Sequence, residues 1–203
     1  MGKSRFLGIN RGQDDDSLFG SGPNWHFNAC VNFIHDDSDL YAEGYRRAGE
    51  IVTHWLADNE AQGLDFLVYP LVFLFRHALE LQLKSAIRWG RFALHKSERG
   101  FPTHHRIADL WHMCRPLVEE YWANSSDDLL NEVEITLKEF QQHDPSGQDF
   151  RYSRRTDGTK TTPELSHINM EAFYEKVTKA YDLLDGISTG FEEGWRLWAE
   201  NQS

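Results

Sequence analysis

Cysteine is nearly absent. Cys30 and Cys114 are the only two in 203 residues, far enough apart to suit reduced thiols better than a stabilising bridge, and they form no Cys-x-x-Cys pair for a zinc ribbon. No glycine-rich phosphate loop appears either, which removes support for a nucleotide-binding α/β fold. Long apolar runs are missing too. The longest, LVYPLVFLF at residues 67–75, is about half of what a membrane span needs and leads straight into Arg76 and His77. The opening MGKSRFLGIN has no continuous apolar core of a secretory signal, and Phe6 stands where myristoylation wants Ser or Thr, so the expectation is a cytoplasmic chain with no membrane partner. Positive charge is scarce: 21 Lys and Arg against 32 Asp and Glu give a net charge of −11. That argues against non-specific duplex binding over a broad basic surface and leaves nucleic acid only a locally basic groove.

What is present is core material. Hydrophobic residues make up 40% of the chain, with 13 Phe, 7 Trp and 7 Tyr, enough for one folded domain of this length. Residues 1–24 hold glycines, the Asp14-Asp15-Asp16 run and Pro23, and read as a flexible amino-terminal arm. Residues 25–203 read as a single helical-bundle domain. Residues 25–37 are an extended or short helical lead-in. Ser38 and Asp39 then open a helix over about 39–59, with Tyr41, Tyr45, Ala48, Val52 and Trp55 at helical spacing.

A second and longer helical pattern covers about 64–94, apolar nearly all round and therefore central, with Pro70 placed for a kink or a late start and Gly90 near its end. Thr103 can cap a third helix over about 104–122, bent by Pro116. Ser126 caps a fourth through about 142, which Pro145 stops. The stretch HDPSGQDFRYSRRTDGTKTTP, residues 143–163, is the longest interior loop, of a length that is often functional in compact domains. A fifth helix spans about 169–201, with Gly186 and Gly190 as weak points. Five helices on short connections imply an all-α, up-and-down bundle with a long loop before the last helix.

Within the central helix, Arg76, Glu80 and Lys84 fall at i, i+4 and i+8, and His77 stands three residues before Glu80, so all four can share one side. Charges in so apolar a helix need partners. They mark either a structural ion network or a polar pocket between helices. His105, Asp109 and His112 make one stripe in the third helix, a spacing that metal ligation uses and that a solvated face shows far more often; no metal or other cofactor is assigned. His105 is better read as anchoring the pocket. In the long loop, Phe150 can seat the segment on the core and aim Asp144, Arg151 and Tyr152 at the central helix as ligand-binding residues. The pairs His35-Asp36 and His143-Asp144 lie at breaks, whereas phosphohydrolases hold such pairs inside helices.

The segments GYRRAGEIV (44–52), YPLVFLFRHALELQLKSAI (69–87), HHRIADLW (104–111) and HDPSGQDFRY (143–152) together resemble a family of bacterial HEPN-like proteins. The likeness covers about half of the chain, most specifically from Arg76-His77 through Glu80 to Lys84. It implies a helical bundle that commonly forms homodimers, and in many members a metal-independent ribonuclease of toxin–antitoxin, antiviral defence or stress systems, with RNA or nucleotide and a defence-system protein as partners. The family signature is Arg, four to six residues, then His. Arg47…His54, Arg88…His95, Arg99…His104, Arg99…His105 and Arg106…His112 all meet that spacing, and Arg106 with His112 fits best because both fall in a predicted helix. The implied catalytic residues are Arg106 and His112, or a pocket of Arg76, His77, Glu80 and His105 with Lys84 beside it. The arginine would stabilise the scissile phosphate and the histidine would help to deprotonate the ribose 2′-hydroxyl. A non-catalytic module with a nucleotide-, ligand- or protein-binding pocket on the central helix is the alternative.

Overall fold

The computed structural model describes residues 19–21, 25–31, 38–123 and 126–202. Met1–Asp37 and Ser38–Ser203 are separate compact units. In the first, Trp25–Phe27 make one 3-10 turn; most of the expected arm, and residues 32–37 of the lead-in, lie outside the described residues. The second unit is all-α. Its helices are α1 (Ser38–Asp58), α2 (Leu64–Ala93), α3 (Ile107–Tyr121), α4 (Asp127–His143) and α5 (Met170–Glu200). Among the described residues the only β pairing is one isolated antiparallel bridge, Arg154 with Lys160.

The central helix is α2, which packs on α5, α1 and α3, while α4 closes against α3 and α5. Its Leu71, Phe75, Leu79, Leu83 and Ile87 are buried along its length, with Trp111 and Cys114 of α3, Leu137 of α4 and Leu184 and Phe191 of α5 around them. Removing this much apolar surface from water is the dominant stabilising term for such a bundle. No helix among the described residues is long and apolar enough to cross a membrane.

Two local expectations need correction. In α1 the buried stripe is Ala42, Gly49 and Leu56 with Tyr45 and Val52 half-buried, whereas Tyr41 and Trp55 face outward. Small residues on that stripe concealed it: a Cβ on Gly49 would stand 2.9 Å from the Phe75 ring, so glycine is what lets α2 approach. In α3 the helix starts at Ile107, and Arg106, not Thr103, is its N-cap, without a side-chain bond. The reason is tertiary. The His105 carbonyl receives a hydrogen bond from Arg76 at 2.6 Å, which holds the approach to α3 extended and commits that acceptor outside the helix. Both interior prolines are tolerated without interrupting their helices; Pro70 and Pro116 are exposed, so solvent can satisfy the carbonyls they leave without an N–H partner.

Candidate functional site

A chain of charges runs up the face of α2 that meets the α3 entry and the α4–α5 loop. Arg76 and Glu80 are each only 1% exposed. The Arg76 guanidinium donates from Nη1 to Glu80 Oε2 at 2.6 Å and from Nη2 to the His105 carbonyl at 2.6 Å. Its Nε stands 3.3 Å from Asp144 Oδ2, an ion pair in which neither atom makes a hydrogen bond of good geometry. The second Glu80 oxygen, Oε1, accepts from Lys84 Nζ at 2.9 Å and lies 2.7 Å from His105 Nδ1. Two cations therefore face two carboxylates, an arrangement that leaves no net charge buried.

The loop closes over this network by turn chemistry. Asp144 Oδ1 accepts from the backbone N–H groups of Gln148 and Asp149 at 2.8 and 2.9 Å, which ties the start of the loop back on itself. Gly147 then adopts φ +74, and a Cβ there would stand 2.8 Å from Arg76 Nη1. Only glycine lets the backbone lie on the guanidinium. Phe150 is buried beneath the loop, and Arg155 ties it with bonds to Asp149 at 2.5 Å and to the Thr161 carbonyl at 3.3 Å.

Burial alone would raise the Glu80 carboxyl, but the hydrogen bonds from Lys84, Arg76 and His105 outweigh it and hold the group below the ordinary carboxylate range. The carboxylate is thus ionised and fixed, and it orients His105. With the imidazole neutral, Nδ1–H donates to Glu80 and Nε2 keeps its lone pair on a side chain that is 61% exposed. A buried carboxylate beside an imidazole with its second nitrogen on the exposed side is the geometry that an orienter–base pair uses in proton transfer.

The remaining expected residues fall into other groups. His77 turns away from Glu80 into an aromatic cluster, 4.5 Å and edge-on from Tyr45 and stacked on Phe73 at 5.5 Å; burial pushes its titration down. Arg151 stands over Phe73 at 5.3 Å and over Tyr152 at 5.2 Å, so Arg151 and Tyr152 join that cluster and not the Arg76–Glu80 network. Arg106 is 66% exposed and pairs with Asp109 at 3.1 Å. His112 is exposed further along α3, and no contact joins it to Arg106 among the described residues. The stripe of His105, Asp109 and His112 dissolves because His105 precedes the helix. His143 stands in the last turn of α4 and Asp144 is its C-cap, while His35-Asp36 lies outside the described residues. No group of three or more His, Cys, Asp or Glu among the described residues is placed to hold a metal ion. Gly147, Tyr45 and Phe73 are the site residues that the sequence did not single out. The Ser146-Gly147 turn was the legible signal for the first, and helical spacing assigned Tyr45 to the core.

A separate cleft of about 270 Å³ lies between α4, α5 and the loop, walled by Val72, Phe140, Phe150 and Phe173 with His143 and His167 among its lining residues. It contains none of Arg76, Glu80 or His105. Compared with models of known protein families, with curated proteins and with solved structures, this chain matches none.

Proposed function

We propose that this chain is a HEPN-like, RNA-acting protein of the bacterial defence or stress-response kind, cleaving RNA without a metal, and that His105 is its general base. The observation that carries this reading is the 2.7 Å contact between His105 Nδ1 and the buried, ionised Glu80. It fixes the imidazole with Nε2 outward, where it can take the proton of a ribose 2′-hydroxyl. The 2′-oxygen then attacks the adjacent phosphorus, the P–O5′ bond breaks and the 5′-oxygen takes a proton from solvent, giving a 2′,3′-cyclic phosphate and a 5′-hydroxyl while His105 returns its proton to water. Arg76 is too buried to touch a phosphate; it is a positioning residue that holds Glu80 and the His105 backbone. Arg106, exposed and next in sequence to His105, is the guanidinium able to meet the phosphate. In a homodimer, the arrangement the resemblance implies, Arg106 and His112 of the two copies would approach across the interface.

The test is a pool of single-stranded RNAs incubated with wild type, His105→Ala and His112→Ala. Cleavage leaving cyclic phosphate ends, reduced at least a hundredfold by His105→Ala, supports the assignment. Cleavage lost only in His112→Ala moves the base to the Arg106 and His112 pair, and no cleavage by wild type leaves the binding reading. That second reading, a non-catalytic nucleotide-binding module, has its own observation in the 54% exposed Tyr152 ring, which lies with Arg151 at the edge of the Tyr45, Phe73 and His77 cluster and can take a stacked base and a phosphate. Saturable nucleotide binding lost in Tyr152→Ala and Arg151→Ala, without turnover, favours it.

A further inference from the structure

Charge is distributed unevenly in this acidic chain. Between Arg88 and Arg106 the sequence RWGRFALHKSERGFPTHHR carries five Lys and Arg against one Glu, in a protein of net charge −11. Aromatic rings alternate with those cations, and α5 adds two more. Arg88 stands over Trp89, Phe92 and Phe101 at 5.3, 5.8 and 5.4 Å. Arg99 stands over Phe92 at 5.1 Å and Trp195 at 5.5 Å. Trp195 and Trp198 stack at 4.9 Å, and His95 lies 4.3 Å from Trp198. Lys96 is held by Glu120 and Arg91 by Glu98, and Glu193 bonds Arg196 nearby. Arg99 is exposed and makes no ion pair among the described residues, its Nε bonding only the Lys96 carbonyl. Trp198 is 42% exposed, so part of its ring surface meets solvent.

This patch leads to His105. After α2 the chain turns back along the helix: Arg91 donates to the Gly100 carbonyl at 2.8 Å, and five residues later His105 reaches Glu80. The helix rise places Arg88 about 12 Å from Glu80 along α2, and the chain from Arg99 to His105 runs from the patch back to the imidazole that meets Glu80. Cationic side chains interleaved with open aromatic faces are what single-stranded nucleic acid uses, its phosphates meeting charge and its bases stacking without sequence preference. We infer that the strip formed by Arg99, Phe101, Trp195 and Trp198 at the α2–α5 end of the bundle binds single-stranded RNA and guides it to His105. The inference rests on the RNA-acting reading above and adds the surface that holds the strand.

The experiment measures anisotropy of a fluorescein-labelled single-stranded oligoribonucleotide with the full chain, in a His105→Ala background so that no cleavage intervenes. Arg99→Ala and Trp198→Ala should each weaken binding about tenfold, as loss of one stacking contact does. Trp198→Phe, which keeps a stacking face, should recover most of it, and Lys179→Ala on the far part of α5 should change it less than twofold. A far-ultraviolet melting curve for each variant confirms the fold. Equal affinity for all variants overturns the strip, as does no binding by the parent; so does a change from dimer to monomer in Trp198→Ala with RNA affinity intact, which makes the patch an interface between copies. The two readings fail separately: a wild type that binds through Arg99 and Trp198 but never cleaves removes the catalytic assignment alone, and one that cleaves with affinity insensitive to both residues removes the strip alone.

Discussion

Arg76 and Glu80 carry charges into the most apolar helix of the bundle, and Lys84, His105 and Asp144 answer them. Removing one partner leaves the others uncompensated: Glu80→Ala should destabilise the fold by about 3 kcal/mol in urea unfolding, and a loss under about 1 kcal/mol would mean the network is not worth its burial. Gly147→Ala, forced into positive φ with its methyl group against the guanidinium, should cost about 1–3 kcal/mol by the same assay. The pH response follows from two groups held low. Glu80 is depressed when folded, so its contribution is present above its unfolded value and is lost as pH falls through the folded one. His77 sits below its ordinary 6.5, so the unfolded chain takes up a proton first and stability falls on acidification below that pH. The melting temperature should therefore drop steadily from pH 7 toward pH 4, and His77→Phe should flatten the upper part of that slope; a profile that rises on acidification contradicts both. The charged i, i+4, i+8 pattern was legible at this scale because helical spacing alone places Arg76, Glu80 and Lys84 together. The turn of His77 into an aromatic cluster was not, because it depends on Tyr45 from another helix.

For the helices, the sequence located all five within a few residues, since long periodic runs and Pro or Ser punctuation mark their ends. Faces were harder. A stripe built on Ala42 and Gly49 carries almost no hydrophobic signal, yet it is the one that admits Phe75. Leu56→Ala should accordingly cost about 2–5 kcal/mol, while Tyr41→Ala, at a side chain 55% exposed, should stay within about 0.5 kcal/mol; the reverse order in denaturant titration would restore the stripe read from spacing. The late start of α3 was illegible for a related reason. Thr103 is a sound cap by composition, and long-range contacts, Arg76 with the His105 carbonyl and Glu80 with its imidazole, hold the entry extended. The same contacts take His105 out of the helical stripe it shares in sequence with Asp109 and His112, and leave it facing Glu80.

For the molecule as a whole, the core excludes solvent where the one buried thiol sits. Burial pushes the Cys114 sulfhydryl up to about 12, whereas Cys30 is exposed. A thiol reagent should titrate one cysteine rapidly in native buffer and two in denaturant; two fast thiols would mean that the α3 core opens readily. The acidic net charge and the basic strip between Arg88 and Arg106 are compatible with each other, since a strand guided to one face is repelled from the rest. Metal-independent proton transfer on RNA by Glu80 and His105, as proposed, is told apart from metal chemistry by cleavage of a single-stranded RNA pool with and without chelator. The expected result is cyclic-phosphate products at the same rate in both, abolished by His105→Ala; cleavage that stops with chelator and returns with manganese or zinc, or that persists in His105→Ala, would contradict it.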